Sequence, residues 1–246
     1  MKIERALYLF PVDISNAPLS DYLPSANLEL VKEIKYFIVE NIKTARRFLK
    51  KCDSSIDISE LTFFELNRHT DLQEVSSFLN PLRNGQPVGV MSEAGCPGVA
   101  DPGALPVMIA QSEGLKVVPL AGPSSILMSL MASGLNGQRF SFHGYLPVDN
   151  SERERKIKEL EQESFREDRT QIFIETPYRN MKMMDSLIKI LHPETMVCVA
   201  RNITDPDSEN ITTLSVANWR RKGYNMEKVP TVFLIYSLNP KREGKH

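Results

Sequence analysis

One loop constrains this chain more than any other segment. Residues 92–103 read Ser-Glu-Ala-Gly-Cys-Pro-Gly-Val-Ala-Asp-Pro-Gly, after an apolar run at 88–91 and before a predicted helix at 104–111. Glycine permits positive φ and close backbone approach, whereas proline fixes φ and has no backbone N–H to donate. In an open α/β sheet, ligands bind outside the carboxyl ends of the strands. Since long loops of this kind are usually functional, the sequence favours a main-chain binding surface over a purely structural connection.

Length and composition narrow the class of protein. A chain of 246 residues can form one large domain or two of about 120 residues. No apolar run approaches the roughly 18 residues of a membrane span, and residues 1–5 lack the features of a signal peptide, so we expect a cytoplasmic protein without a membrane partner. Three distant cysteines and four scattered histidines predict no disulfide framework and no metal site. A net charge of −1 disfavours a general polyanion binder but permits a local basic patch.

Alternating apolar runs and helical patterns predict an α/β fold built from βαβ units with mainly parallel strands. We expect a domain boundary near residue 121, giving an N-terminal α/β domain (1–121) and a C-terminal α/β domain (122–246). A Ser151/Glu154 capping box is expected to open a charged helix in the second half. The predicted strands are 6–12, 36–40, 60–66, 88–91, 116–120, 171–175, 196–201 and 229–236, and helices are expected at 28–34, 43–51, 71–82 and 124–133.

Three further segments offer functional groups, each beside a structural alternative. Gly122-Pro123-Ser124-Ser125 predicts a helix N-terminus that either binds a polar group or is simply capped. Residues 175–179, Glu-Thr-Pro-Tyr-Arg, place a carboxylate, a phenol and a guanidinium at a strand end. One face of the helix at 43–51 is basic and suits RNA phosphates or plain solvation; its cations are Lys43, Arg46, Arg47, Lys50 and Lys51.

Several common site motifs are missing from the sequence. There is no GxGxxG after the first strand, no GxxxxGK[ST] and no GxSxG. These absences disfavour the simplest dinucleotide-binding, P-loop and α/β-hydrolase interpretations. Within the opening loop, Glu93 and Asp101 are the only acids, and we expect them to shape the loop rather than to catalyse.

Five motifs, taken in order, resemble the tetrapyrrole (corrin/porphyrin) methylase superfamily, and within it the small-subunit ribosomal RNA methyltransferase I family. Residues 92–103 match that family's Ser-Asp-Ala-Gly-Thr-Pro-x-x-x-Asp-Pro-Gly. Residues 118–124 are similar to Pro-x-Pro-Gly-Pro-Ser, and 142–147 to Phe-x-Gly-Phe-Leu-Pro. Residues 173–179 resemble Phe-Tyr-Glu-x-Pro-His-Arg, and 200–204 resemble Ala-Arg-Glu-Leu-Thr. The resemblance runs from about residue 7 to 236.

The resemblance implies two α/β domains with S-adenosylmethionine (SAM) in a cleft between them. It implies a homodimer that methylates a cytidine ribose 2′-hydroxyl of 16S rRNA in the small ribosomal subunit. The cofactor-binding residues carried over by the resemblance are Pro11, Ser92, Glu93, Ala94, Gly95, Val99, Ala100, Ser124, Ser125, Ile174, Ala200, Pro230 and Thr231.

A ribose hydroxyl is a poor nucleophile and needs a proton acceptor. Glu175 and Glu40 are the candidate catalytic residues, and the candidate phosphate-binding residues are Lys43, Arg46, Arg47, Arg179 and Arg201. Residues 39–43 depart from the family's Ala-Glu-Asp-Thr-Arg, and residues 10–16 depart from its Thr-Pro-Ile-Gly-Asn. These departures leave two alternatives open: methylation of a tetrapyrrole or other small molecule, and a SAM-binding protein without catalysis.

Overall fold

A computed structural model describes residues 3–67, 70–226 and 228–238 of the chain. Contacts divide the chain into two compact units, Met1–Ser124 and Ser125–His246. Two of the four histidines, His69 and His246, lie outside the described residues. The domain boundary expected after residue 121 stays a prediction.

Unit 1 is built on a five-stranded sheet with strand order β3-β2-β4-β1-β5, and all four strand pairs are parallel. Its strands are β1 (Leu7–Leu9), β2 (Tyr36–Val39), β3 (Thr62–Glu65), β4 (Val88–Met91) and β5 (Val117–Pro119). Its α-helices are α1 (Ser25–Val31), α2 (Ile42–Cys52), α3 (Leu72–Phe78), α4 (Asn80–Arg83) and α5 (Ala104–Ser112), and short 3-10 turns lie at Leu19–Asp21 and Ile58–Glu60.

Both faces of this sheet are buried, which explains the uninterrupted apolar runs of its strands. Tyr8 and Phe37 belong to a core cluster that includes Leu49 of α2. Their neighbours Leu7 and Ile38 point to the opposite face and join a cluster with helices α3 to α5. Unit 1 therefore has three layers, with the parallel sheet in the middle.

The helix predicted at 71–82 is two helices. Asp71 caps α3 by accepting from the Glu74 amide at 2.8 Å. Pro81 has no N–H to donate to the carbonyl of residue 77, so the chain breaks at Leu79 before α4 begins. The single long helix was therefore wrong in its continuity, although its apolar residues Val75 and Leu82 are buried.

Unit 2 also contains a five-stranded sheet, with order β6-β7-β10-β8-β9. Only β6 and β7 pair in parallel, and β10 runs antiparallel to both β7 and β8. Its strands are β6 (Phe140–Tyr145), β7 (Thr170–Glu175), β8 (Met196–Arg201), β9 (Asn210–Ser215) and β10 (Thr231–Tyr236). Its helices are α6 (Ser125–Ser133), α7 (Asn150–Glu167), α8 (Asn180–Ile190) and α9 (Val216–Lys222), with a 3-10 turn at Pro177–Arg179.

The α/β class is confirmed, but the second half corrects two details of the prediction. Its sheet is mixed rather than mainly parallel, because β10 lies between β7 and β8 and runs antiparallel to both. The edge strands β6 and β9 and helix α9 were not predicted, because they lack continuous apolar runs. The cap of α7 is Asp149 and not Ser151: the Asp149 carboxylate accepts from the amides of Ser151 and Glu152 at 2.9 and 3.0 Å.

Candidate functional site

The carboxyl ends of neighbouring parallel strands bring the predicted residues of unit 1 together. Strand β4 lies between β1 and β2, so Ser92 after β4 stands beside Glu40 after β2 and Pro11 after β1. The pairing continues beyond the strands, since the Phe10 amide donates to Val90 O at 2.9 Å. This edge of the sheet is where an open α/β sheet offers a binding crevice.

The loop at 92–103 is folded as a main-chain surface. Gly95 and Gly98 have positive φ angles of 70° and 80°, and Ala100 has a φ of 66° despite its side chain. A left-handed non-glycine residue is strained, and such strain concentrates at ligand sites. The Val12 amide donates to Gly95 O at 2.9 Å and ties the loop to the segment after β1. Ala94 and Ala100 are exposed, and Val99 is 48% exposed.

The segment after β5 is anchored to the same loop. Cys96 Sγ lies 3.4 Å from Pro123 O, and Asn27 Nδ2 donates to Ala121 O at 2.7 Å. Gly122 fits closely against Pro11, because a Cβ at residue 122 would lie 2.3 Å from Pro11 Cβ. Ser124 ends unit 1 and Ser125 opens helix α6 of unit 2.

Three carboxylates gather at this edge of unit 1. Glu40 Oε2 accepts from the Glu93 amide at 3.3 Å, and Glu93 Oε1 lies 3.4 Å from the Thr44 hydroxyl. Burial raises the pKa of Glu40 above its ordinary value, and the charge of Glu93 adds to the effect. Burial and the charge of Glu40 raise the pKa of Asp101 to about 6. Asp101, expected only to shape the loop, is electrostatically coupled to the candidate base Glu40.

Helix α2 presents the predicted basic face, but its cations are not equivalent. Arg46 lies over the Phe63 ring at 5.3 Å from the centroid, and Lys50 donates to Ser54 O at 2.8 Å. Lys51 pairs with Asp13 at 2.8 Å. The side chains of Lys43 and Arg47 are exposed and have no polar partner within the described part of the chain.

In unit 2 the predicted residues collect at one end of the sheet. The row Ile174, Val232 and Ala200 crosses β7, β10 and β8, and the next row joins Glu175, Thr231 and Arg201. Pro230 stands just before β10, where its carbonyl accepts from the Asn202 amide at 3.0 Å. Arg201 Nη2 donates to Asn210 Oδ1 at 3.0 Å.

Glu175 is buried and already forms an ion pair with Arg179, which makes it less available as a general base. Its Oε1 accepts from Arg179 Nε at 2.8 Å and from the Thr176 amide at 2.6 Å. This ion pair also occupies part of the Arg179 guanidinium. Tyr178, between them in sequence, is 79% exposed, with Lys228 Nζ 5.4 Å from its ring centroid.

Among residues 3–67, 70–226 and 228–238, no group of His, Cys, Asp and Glu is arranged to hold a metal ion. None of the helices in those same ranges has both the length and the apolar character needed to cross a membrane.

Comparison with curated proteins finds relatives along most of the chain. A Vibrio cholerae protein named Ribosomal RNA small subunit methyltransferase I is 32% identical over 225 residues, covering 88% of this chain and 74% of that protein. The chain belongs to the ribosomal RNA small subunit methyltransferase I family. Family members with the same name from Synechocystis and Escherichia coli O157:H7 are 31% and 30% identical over 198 residues, which is 80% of this chain and 67% and 65% of theirs. The resemblance stated from the motifs is confirmed.

Solved structures support the fold of this family member. The methyltransferase CobJ superposes with a TM-score of 0.56 at 20% identity, covering 88% of this chain and 89% of that one. A uroporphyrin-III C-methyltransferase from Thermus thermophilus, complexed with S-adenosyl homocysteine, gives a TM-score of 0.53 at 13% identity, covering 94% and 97%. At these identities the likeness shows the fold alone. Comparison with protein-family models gives no match.

Proposed function

We propose that this protein transfers a methyl group from SAM to a ribose 2′-hydroxyl of 16S rRNA. The observation that carries the proposal is the 32% identity over 225 residues with a protein named for small-subunit rRNA methylation. The strand-end edge of unit 1 supports it, because a main-chain loop and a carboxylate with a raised pKa, Glu40, lie there together. A cytoplasmic homodimer remains part of the proposal.

The loop at 92–103 fits a group that is bound chiefly by main chain. Apart from Glu93, its exposed side chains are small, and its backbone is left-handed at Gly95, Gly98 and Ala100. The holding residues in unit 1 would be Pro11, Ser92, Glu93, Ala94, Gly95, Val99, Ala100 and Ser124. Ser125, Ile174, Ala200, Pro230 and Thr231 are the corresponding proposals in unit 2. When bound, SAM supplies an electrophilic methyl group on a sulfonium.

Glu40 is the better of the two candidate proton acceptors. A general base works best when its pKa lies near the working pH, and burial moves the pKa of Glu40 in that direction. Glu175 is held in an ion pair by Arg179, so accepting a proton would cost it that interaction. The proton of the attacking hydroxyl would therefore pass to a Glu40 oxygen, while Lys43, Arg46, Arg47, Arg179 and Arg201 supply positive charge for phosphates.

The other acceptor class, a tetrapyrrole, is favoured by the fold neighbours alone. These structures are only 20% and 13% identical to this chain, so the likeness shows the fold and does not identify the methyl acceptor. Relatives at 30–32% identity are named for rRNA instead, so rRNA is the preferred acceptor.

Calorimetric SAM binding tests the loop directly. Ala94→Trp adds bulk at an exposed residue of the loop, whereas Ala26→Trp adds the same bulk at an exposed residue of α1. We expect Ala94→Trp to weaken SAM binding at least about tenfold, since one tenfold step is only about 1.4 kcal/mol. Equal SAM affinity in the two variants would contradict the assignment of the loop.

Offering small-subunit particles and a tetrapyrrole acceptor side by side with labelled SAM tests the acceptor. Label in the particles alone is the expected result, and label in the tetrapyrrole alone would overturn the proposal. Cofactor binding without transfer to either would indicate a non-catalytic SAM-binding protein.

A further inference from the structure

A pocket of about 280 Å³ lies within unit 1, between one face of α2, from Thr44 to Lys51, and the segments that follow β1 and β4. We name it the α2 pocket, and its polar lining consists mainly of Asp13, Thr44, Arg47, Lys51, Ser92 and Glu93. Ligand sites for whole drug-sized molecules run from about 300 to 1,000 Å³. This volume suits one sugar-phosphate unit and is too small to enclose a macrocycle of four pyrrole rings.

The lining is charged on two sides. The α2 side contributes Arg47 and Lys51, and the strand-end side contributes Asp13 and Glu93. Asp13 and Lys51 neutralise each other, with Lys51 Nζ 2.8 Å from Asp13 Oδ2. The guanidinium of Arg47 has no such partner among the described residues, so its five donors are available to a ligand.

A ribose-phosphate matches this arrangement. Its phosphate accepts charge-assisted hydrogen bonds, for which guanidinium is well suited, and its hydroxyls donate to carboxylates. The hydroxyl of Thr44 lies 3.4 Å from Glu93 Oε1 and closer, at 3.0 Å, to Asn41 O, so the Glu93 carboxylate keeps acceptor capacity for a ligand hydroxyl. The 2′-hydroxyl is the group by which proteins distinguish RNA from DNA.

We propose that the α2 pocket binds one ribose-phosphate unit of the RNA acceptor strand, with Arg47 on the phosphate and the side chain of Glu93 facing the sugar hydroxyls, while the main chain of residues 92–95 is left to SAM. This inference rests on the proposed function and gives the acceptor a place on unit 1.

A zwitterionic amino-acid group, such as the methionine part of SAM, also has one positive and one negative end. The positive charge just outside the pocket favours an RNA strand over the amino-acid group of SAM. Lys43 is exposed one turn before Arg47 on the same helix and has no polar partner in the described chain. Two cations without a polar partner in the described chain, Arg47 in the pocket and Lys43 one turn before it, match successive phosphates of a strand, whereas a single amino-acid group needs only one of them.

Arg47→Ala, with Lys50→Ala as the matched control, tests the pocket. Both variants remove one exposed charge from α2, but Lys50 already donates to Ser54 O and lies outside the pocket lining. The readouts are the Kd of a fluorescein-labelled single-stranded RNA at several salt concentrations and the calorimetric Kd of SAM. A hydrogen bond to a charged group is worth about 1.5–3 kcal/mol, so Arg47→Ala should raise the RNA Kd at least about tenfold.

The salt slope and the SAM affinity separate the outcomes. We expect Arg47→Ala to reduce the slope of log K against log salt by about 0.7, to leave the SAM Kd unchanged, and to exceed the effect of Lys50→Ala. A SAM Kd that rises as much as the RNA Kd would assign the pocket to the methyl donor and overturn the inference. An equal rise of the RNA Kd in both variants would also overturn the inference, because it would show only a general attraction of RNA to the positive charge of α2.

Failure of the proposed function has a different signature. If the wild-type protein transfers no methyl group to small-subunit particles, rRNA methylation is contradicted. The ratio of RNA affinities between Arg47→Ala and Lys50→Ala then still decides the pocket.

Discussion

Arg179 holds the buried carboxylate of Glu175, with its Nε and Nη2 atoms 2.8 and 2.6 Å from Glu175 Oε1. The pair closes the turn that follows β7, since the Thr176 amide donates to the same oxygen at 2.6 Å. Three donors on one carboxylate oxygen indicate a structural role for a residue that the sequence presents as a catalytic candidate.

Replacing Glu175 with glutamine should therefore affect stability more than chemistry. Glutamine keeps the shape but loses the charge, so we expect the free energy of unfolding to fall by about 1–3 kcal/mol. Urea unfolding measures this fall. Glu159→Gln, on the exposed face of α7, is the control, and we expect it to lower the free energy of unfolding by less than about 1 kcal/mol. A stable but inactive Glu175→Gln variant would point instead to a catalytic carboxylate.

Gly122→Ala should destabilise unit 1 through a steric clash. The added Cβ would lie 2.3 Å from Pro11 Cβ and 2.7 Å from its Cγ, which are ring atoms that cannot swing away. Overpacking of this kind costs about 1–3 kcal/mol, measurable by thermal or urea unfolding. Gly137→Ala is the matched control, because a Cβ there meets nothing within 4 Å. Equal stability in the two variants would disprove the close Pro11–Gly122 contact.

Glu40→Gln should slow methyl transfer while SAM binding is retained. Removing a general base costs about 10²–10⁴-fold in rate, which single-turnover transfer from labelled SAM would detect. Because the base must be ionised, the wild-type rate should rise with pH through the pKa of Glu40, which burial raises above its ordinary value. A Glu40→Gln variant with the wild-type rate and pH profile would remove Glu40 from the reaction.

Asp101→Asn should make stability less dependent on pH. The pKa of Asp101 is raised from 3.8 to about 6 in the fold, so the folded state binds more protons than the unfolded state between these values. This contribution to the free energy of unfolding is largest below pH 4 and is lost as the pH rises to about 6.

Urea unfolding at pH 5 and pH 8 measures this effect. The variant should be more stable than the wild type at pH 8, and solvent screening limits the gain to about 1 kcal/mol or less because Asp101 is half-buried. A parallel pH dependence of the two proteins would contradict the raised pKa of Asp101 in the fold.

In unit 1 the sequence predicted all five strands, including the edge strands β3 and β5, whereas in unit 2 it predicted β7, β8 and β10 and missed the edge strands β6 and β9. Leu7–Leu9 and Val88–Met91 are continuous apolar runs because helices cover both sides of the sheet in unit 1. The edge strands Phe140–Tyr145 and Asn210–Ser215 are half-exposed and carry polar residues, so their pattern is indistinct from that of loops.

The candidate site was likewise predicted from the sequence only in part. The motif spacing predicted that Ser92, Pro11 and Gly122 belong together, and parallel strand order brings them to one edge of unit 1. The sequence could not show that Arg179 neutralises Glu175 or that Asp101 is coupled to Glu40, because both effects depend on distances and burial. Which cations of α2 lack a partner was equally hidden, since only the structure shows that Arg46 lies over the Phe63 ring while Arg47 does not.

The most direct test of the central claim combines the purified protein, labelled SAM and small ribosomal subunits from a strain lacking the modification, followed by mapping of the label. Methylation of a ribose blocks alkaline cleavage at the modified nucleotide, so its site is read as a gap in the hydrolysis ladder. We predict label in 16S rRNA at one alkali-resistant position, and its loss with Glu40→Gln. Subunits that stay unlabelled while the protein binds SAM would contradict the account.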